Sequence, residues 1–277
     1  MKASNEKRLV AFVTGASRGI GRASAIALAE AGFDVVVTAR TLREGETADG
    51  RPLPGSVETT AARVEAAGQR ALPLHLDLLD EASMQNAVEA TLDRWGRIDV
   101  LLNNAIYIGP ANMSPFLELD LTDARALLQA NLLAQVYLTQ KVLPHMLGRG
   151  RGLVVNMISN AALSDPPAPT GSGGWGFAYG ASKAALLRMA GVLAIEHAGA
   201  GVNFVNLEPG FVLTEAMKLN DPDGELSKYA VGAPVEVPGR VIAWLASNDH
   251  AAKYNGKIVL AQPLCLELGL HPDWRNG

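Results

Sequence analysis

Short runs of apolar, often β-branched residues alternate along the chain with longer stretches in which apolar positions return at helical spacing. Residues 9–13 form the first run, 19–31 carry a helical pattern and 33–38 form a second run, the order expected of two parallel strands joined by a crossover helix. The alternation continues through an apolar run at 71–76, a helical pattern at 81–95 and a run at 100–102. A long helical pattern at 122–146, a run at 153–158, a helix at 177–197 and a run at 202–207 follow, and a helix at 238–247 and a run at 257–261 close the series. Parallel strands need crossover connections, usually helices, so this order predicts an α/β fold with a doubly wound parallel sheet and helices on both faces.

Residues 1–277 read as one domain. Three stretches, 41–56, 164–176 and 211–234, interrupt the rhythm with Gly and Pro and read as loop excursions. In such sheets ligands bind beyond the carboxyl ends of the strands, so the residues just after each strand are where chemistry is sought.

Composition narrows the partners. Apolar residues at 48% and charged residues at 19% fit a globular core rather than a disordered chain. The net charge is −4, with no Lys and Arg stripe, so nucleic acid is not an expected partner. Residues 1–8 are polar and lack the apolar stretch of a secretory signal, and no apolar run reaches membrane-spanning length, so no membrane association is expected. A lone cysteine, Cys265, rules out an intramolecular disulfide and fits a reducing compartment, for which the cytoplasm is the expected location. His75, His145, His197, His250 and His271 are too scattered for a metal motif, and no metal is expected.

Between the first strand and the first helix stands Thr14-Gly15-Ala16-Ser17-Arg18-Gly19-Ile20-Gly21. Glycine permits a sharp turn and close approach of a ligand, and the helix start offers free N–H groups and the positive dipole end to a pyrophosphate. The spacing is G-x-x-x-G-x-G rather than G-x-G-x-x-G, so the segment alone also fits a tight strand-to-helix turn. At the end of the second strand Arg40 has no acid beside it, and Arg18 in the cradle is placed to meet the same adenosine 2′-phosphate. This charge pattern favours NADP(H) over NAD(H), with NAD(H) as the alternative, and the two arginines as ordinary surface charges as the bland reading.

Tyr179 and Lys183 stand at i and i+4 on one helical face. A phenol is a poor base at neutral pH, and a neighbouring ammonium is expected to lower its pKa. Tyr179 then suits proton donation to a forming alkoxide, or proton abstraction in the reverse direction. Ser159 follows the strand at 153–158, where its hydroxyl is placed to orient a carbonyl oxygen. A hydrolase built on Ser159 is disfavoured because no G-x-S-x-G elbow surrounds it.

Taken in order, the cradle, Asp77, Asn103-Asn104-Ala105, Asn131, Ser159, Tyr179-x-x-x-Lys183 and Pro209-Gly210 resemble the motifs of the short-chain dehydrogenase/reductase family across nearly the whole chain. The resemblance implies a Rossmann-type fold and an NAD(P)-dependent oxidoreductase acting on a small-molecule carbonyl or alcohol. It implies a catalytic set of Asn131, Ser159, Tyr179 and Lys183, with Asn131 holding a water that links Lys183 to solvent. It implies cofactor contacts from Gly15, Ser17, Arg18, Gly19, Ile20, Gly21, Arg40, Asp77, Leu78, Asn104, Ala105, Tyr179, Lys183, Pro209, Gly210, Val212 and Thr214. Within these, Asp77 is expected at the adenine, Asn104 and Ala105 at the adenosine ribose, and Val212 and Thr214 at the carboxamide; Asp77 as a turn former stays open. A homo-oligomer, tetramer or dimer, built on the long helices is implied as well. The catalytic set argues against a dinucleotide-binding sensor without activity.

The chain departs from the family in three places. Ile106 and Tyr107 follow Asn-Asn-Ala where glycine is usual, which is expected to narrow the substrate pocket. The segment between Ser159 and Tyr179 is long and rich in Pro and Gly, as in a flap over the site. The usual glycine-rich ending is replaced by Ala261-Gln262-Pro263-Leu264-Cys265-Leu266, for which the sequence offers no account. Trp175, Phe177, Tyr107, Phe211, Leu213 and Met217 are candidates to line a pocket for a hydrophobic or cyclic substrate, or else ordinary packing residues.

Overall fold

Strands β1 (Val10–Thr14), β2 (Asp34–Ala39), β3 (Ala71–His75), β4 (Val100–Asn103), β5 (Gly152–Met157), β6 (Val202–Glu208) and β7 (Ile258–Leu260) form one sheet in the order β3-β2-β1-β4-β5-β6-β7. Every neighbouring pair is parallel. The computed structural model describes residues 8–46, 53–220 and 231–276. The polar start at 1–7 and the parts of the loop excursions at 47–52 and 221–230 lie outside the described residues.

The inner strands β1, β2, β4 and β5 are buried on both faces, which is why they read as continuous apolar runs rather than alternating ones, while β3 and β7 at the edges are partly exposed. Side chains on successive strand residues point to opposite faces. Val10 and Phe12 join one cluster with Met84 and Val88 of α3 (Glu81–Trp95) and Leu138 and Val142 of α5 (Ala134–Arg149). Ala11 and Val13 join the other, with Leu28 of α1 (Gly19–Glu30), Val64 of α2 (Val57–Ala66) and Ile242 of α8 (Glu236–Ala246). α6 (Phe177–Glu196) adds Ala190 to the first cluster, and α9 (Ala261–Glu267) adds Leu264 to the second.

Each expected strand is present to within about two residues, the usual boundary slack. Four helical features were not expected. α2 opens right after the first loop excursion, started by a capping box in which Ser56 Oγ accepts from the Thr59 N–H and Thr59 Oγ1 accepts from the Ser56 N–H, both at 3.0 Å. A short α7 (Glu215–Asn220) lies inside the third excursion, and α9 forms in the ending that had no account. The single helix expected at 122–146 is two, α4 (Leu121–Leu128) and α5, joined by a π-helical turn over Gln129–Leu133. Asn131 stands in the middle of that turn, and its side chain is held from outside the helix, as described below.

Order in the sheet reverses between β1 and β4. At this switch point the ends of neighbouring strands diverge and leave a crevice. Beneath it, a chain of amides ties three strands together: Asn103 donates to Asn156 at 3.0 Å, Asn156 to Asn206 at 3.2 Å, and Asn206 to the Leu187 carbonyl of α6 at 2.8 Å.

Candidate active site

The crevice opens into a cavity of about 570 Å³ lined from the ends of β1, β2, β3, β4, β5 and β6 and from α6 and α7. Its floor is the β1–α1 cradle. Gly15 and Gly19 have φ of +67° and +57°, values that favour glycine. A Cβ at Gly15 would come within 2.8 Å of the Ala105 Cα, and one at Gly21 within 2.1 Å of the Gly15 carbonyl oxygen. The N-cap residue Arg18 makes no side-chain cap, and Gly19, Ile20 and Gly21 at the start of α1 line the cavity, where helix N–H groups suit an anion such as a pyrophosphate. Within this fold Glu215 of α7 already answers that field: its Oε2 accepts from the Gly19 N–H at 3.0 Å, and Arg22 lies 3.8 Å from its Oε1.

At the β2 end the wall is Ala39, Arg40, Thr41 and Leu53, none of them acidic. Arg40 is exposed. Arg18 is engaged: its guanidinium donates to the Pro54 carbonyl at 3.1 Å and to the Gly55 carbonyl at 2.9 Å, which fixes the fork against the 53–55 segment. Asp77 also lines the cavity, and its Oδ1 accepts from the Leu79 N–H at 3.0 Å, so it is a turn former as well as a wall residue. The Asn104 amide, expected along a ribose, donates instead to the Thr14 carbonyl at 2.8 Å.

At the other end Ser159, Tyr179 and Lys183 share the cavity. Ser159 caps a 3-10 turn, Asn160–Ala162, by accepting from the Ala161 N–H at 3.2 Å. Lys183 is buried and donates to the Met157 carbonyl at 2.8 Å. The expected lowering of the phenol pKa is not what the structure shows. Burial pushes Tyr179 above its ordinary value, the Ser159 hydroxyl opposes this, and the Glu208 carboxylate adds to the rise. Lys183 has no such leverage here, because its ammonium faces the Met157 carbonyl and burial lowers its own pKa to about 8.

Every residue expected to touch the cofactor lines this cavity. Asn131 does not. It is buried, its Oδ1 accepts from the Tyr107 N–H at 2.7 Å, and its Nδ2 donates to the Tyr107 carbonyl at 3.1 Å. Its side chain therefore holds the loop after β4, and that loop puts Ile106, Tyr107 and Ile108 on the cavity wall. Of the apolar candidates, Tyr107, Phe211 and Met217 line the cavity; Trp175, Phe177 and Leu213 do not. Phe177 is exposed and meets Phe116 edge to face at 5.5 Å. The expected flap contributes no lining residue either: the segment folds back through a Thr170–Gly174 bridge and ends with the Gly176 N–H on the Asn112 carbonyl at 3.1 Å. Glu208, Glu215 and Gln262 were missed, since a lone acid or amide carries no spacing signal.

A model of the short chain dehydrogenase family matches residues 9–224. The chain is 31% identical over 253 residues to the 3-oxoacyl-acyl-carrier-protein reductase of Synechocystis sp., covering 90% of this chain and 93% of that one. It is 41% identical over 148 residues to hydroxysteroid dehydrogenase-like protein 2 of Danio rerio; that match covers 53% of this chain and spans 33% of the relative's length. A metagenomic short-chain oxidoreductase solved in complex with NADP superposes with a TM-score of 0.71 at 28% identity, over 91% of this chain and 96% of that one.

The buried Lys183 has a stability consequence. An unfolded lysine titrates near 10.4, and burial lowers the folded value to about 8. The folded state bears the full cost below pH 8, on the order of 3 kcal/mol, and stability recovers as pH rises through that window because the unfolded chain then holds more protons. Lys183→Met is expected to raise the unfolding free energy by about 1–3 kcal/mol at pH 7 after the orphaned Met157 carbonyl is counted, with the gain shrinking toward pH 10. Urea denaturation at pH 7 and pH 9.5 checks this; a variant no more stable than the parent at pH 7 contradicts it.

Proposed function

The chain belongs to the short-chain dehydrogenase family of NAD(P)-dependent oxidoreductases, and from that premise we propose that it interconverts a carbonyl compound and a secondary alcohol with NADP(H) as the preferred dinucleotide. The observation that carries the reading is a single cavity shared by an anion cradle at one end and the Ser159, Tyr179 and Lys183 side chains at the other.

When bound, the nicotinamide supplies or accepts the hydride. The residues of the chain handle the proton. Ser159 orients the carbonyl oxygen, and Tyr179 gives it a proton in reduction. A phenol held above its ordinary pKa stays protonated through neutral pH, which suits it as an acid and makes alcohol oxidation the direction favoured by alkali. Lys183 lines the same end of the cavity, with its amine on the Met157 carbonyl. Any relay through Asn131 runs along its main chain, because both ends of its amide are engaged by Tyr107.

NADP(H) preference rests on Arg40, exposed on a cavity wall whose described residues at the β2 end include no acid, with Arg18 fixed against the 53–55 segment. Ile106, Tyr107, Ile108, Phe211 and Met217 make the substrate end largely apolar, which suits a hydrophobic or cyclic carbonyl compound. We read residues 1–277 as one domain working in the cytoplasm. A dimer or tetramer is part of the reading, since α6 leaves Phe177, Val192 and Ile195 exposed, and Leu121 of α4 is exposed as well.

With NADPH and a panel of apolar ketones, the purified protein is expected to turn over, and Tyr179→Phe to lose about 10²–10⁴-fold in kcat while still binding NADPH; cofactor binding without turnover of any ketone contradicts the reading. Arg40→Ala is expected to weaken NADPH by about 10- to 100-fold and leave NADH nearly unchanged, as measured by cofactor fluorescence titration; equal losses for both cofactors exclude Arg40 as the discriminator. Light scattering is expected to return a dimer or tetramer, and a monomer mass removes the oligomer from the proposal.

A further inference from the structure

We propose that Glu208 and Gln262 are positioning residues that clamp the turn at 209–211 from its two sides. The inference rests on the oxidoreductase reading above, because the turn lines the end of the cavity that holds Tyr179 and Ser159.

The turn follows directly on β6 and presents three backbone polar groups outside the sheet ladder, of which the Phe211 carbonyl also accepts from the Ala233 N–H at 2.9 Å. Gln262 Nε2 donates to the Pro209 carbonyl at 3.1 Å and to the Phe211 carbonyl at 2.9 Å, which uses both of its N–H groups. Between them the Gly210 N–H donates to Glu208 Oε1 at 2.9 Å. Gly210 has φ of +73°, and a Cβ there would lie 2.2 Å from Gln262 Nε2, so the glutamine amide packs directly against the glycine. Any side chain at 210 would push the clamp off.

Sheet register explains why the tail supplies this group. β7 pairs with β6 so that Leu260 stands beside Glu208, and two residues further on Gln262 stands beside Gly210. α9 starts at Ala261 with no intervening loop, so Gln262 falls in its first turn and packs against Gly210. Pro263 sits in the first helical turn, where its missing N–H has no intrahelical partner to lose. The ending that replaces the family's glycine-rich one thus forms a short helix whose second residue reaches back to the cavity wall.

A turn held by a carboxylate on one side and an amide on the other keeps the 209–211 wall of the cavity in a fixed place. A loosened turn leaves binding possible but spoils the approach of the reacting groups, so the loss falls on kcat more than on KM.

The test uses the full-length protein with Gln262→Glu, which keeps the shape but turns two donors into an oxygen facing two carbonyls, and Glu208→Gln, which reaches the turn from the other side. Hydrogen exchange without ligand is expected to rise about tenfold or more at the Gly210 amide in both variants, with β1 and β4 unchanged. With a ketone that the parent reduces, kcat is expected to fall about tenfold or more while KM for NADPH stays within about threefold, and the isotope effect from deuterated NADPH to grow. Unchanged Gly210 exchange in Gln262→Glu, or kcat within twofold of the parent in both variants, overturns the clamp. A parent protein that turns over no ketone, with Gly210 exchange rising as expected, sinks the oxidoreductase reading and leaves the clamp standing. Because the two substitutions lie on different elements, failure of one variant to fold leaves the other to decide.

Discussion

One buried hydroxyl, that of Thr14, holds open the crevice on which the site depends. It donates to the Leu102 carbonyl at 2.9 Å and accepts from the N–H groups of Asn104 and Ala105, each at 2.9 Å. A threonine hydroxyl has one donor and two acceptor positions, and here all three are filled. The contact fixes the end of β1 against the end of β4 at the switch point of the sheet. Gly15 then lies so close to Ala105 that no side chain fits between them, and the cradle can sit at the cavity floor only in this spacing.

From that point the polar groups form a connected support. The amides of Asn103, Asn156 and Asn206 bind β4, β5 and β6 within an otherwise apolar layer, and each strand end then delivers a wall of the cavity. Buried amides of this kind stabilise only when paired, so the ladder specifies which strands lie side by side. Lys183 is a different case. It is buried with a single carbonyl partner, which disfavours the charged form, and its position is better explained by the chemistry of the cavity than by stability.

Much of this was legible beforehand for a simple reason: each strand is short, apolar and bounded by turn residues, and each crossover is long enough to be a helix. The motif residues Gly15, Gly19, Gly21 and Ser159 sit just after strand ends, so their gathering in one cavity with Tyr179 and Lys183 of the following crossover helix follows from the alternation. The π turn around Asn131 was not legible, and Asn131 at its middle is bonded on both sides of its amide to Tyr107, 24 residues away in sequence. α9 was obscured by Pro263, a helix breaker everywhere except the first turn where it stands. The pKa of Tyr179 was misjudged from spacing, because the i and i+4 positions bring two side chains to one face without saying where the ammonium points or how deeply the phenol is buried.

The sequence by itself determined the fold class, the order of strands and helices and the anion cradle, since these depend on local periodicity and on glycines that no other residue replaces. Only the tertiary structure decided what each polar group is bonded to: Arg18 to the 53–55 carbonyls, Asn104 to Thr14, Glu215 to the α1 N-terminus, Gln262 to the turn at 209–211. A hydrogen bond depends on a few tenths of an ångström and on orientation between residues tens or hundreds of positions apart, and no pattern of residue types along a chain carries that information.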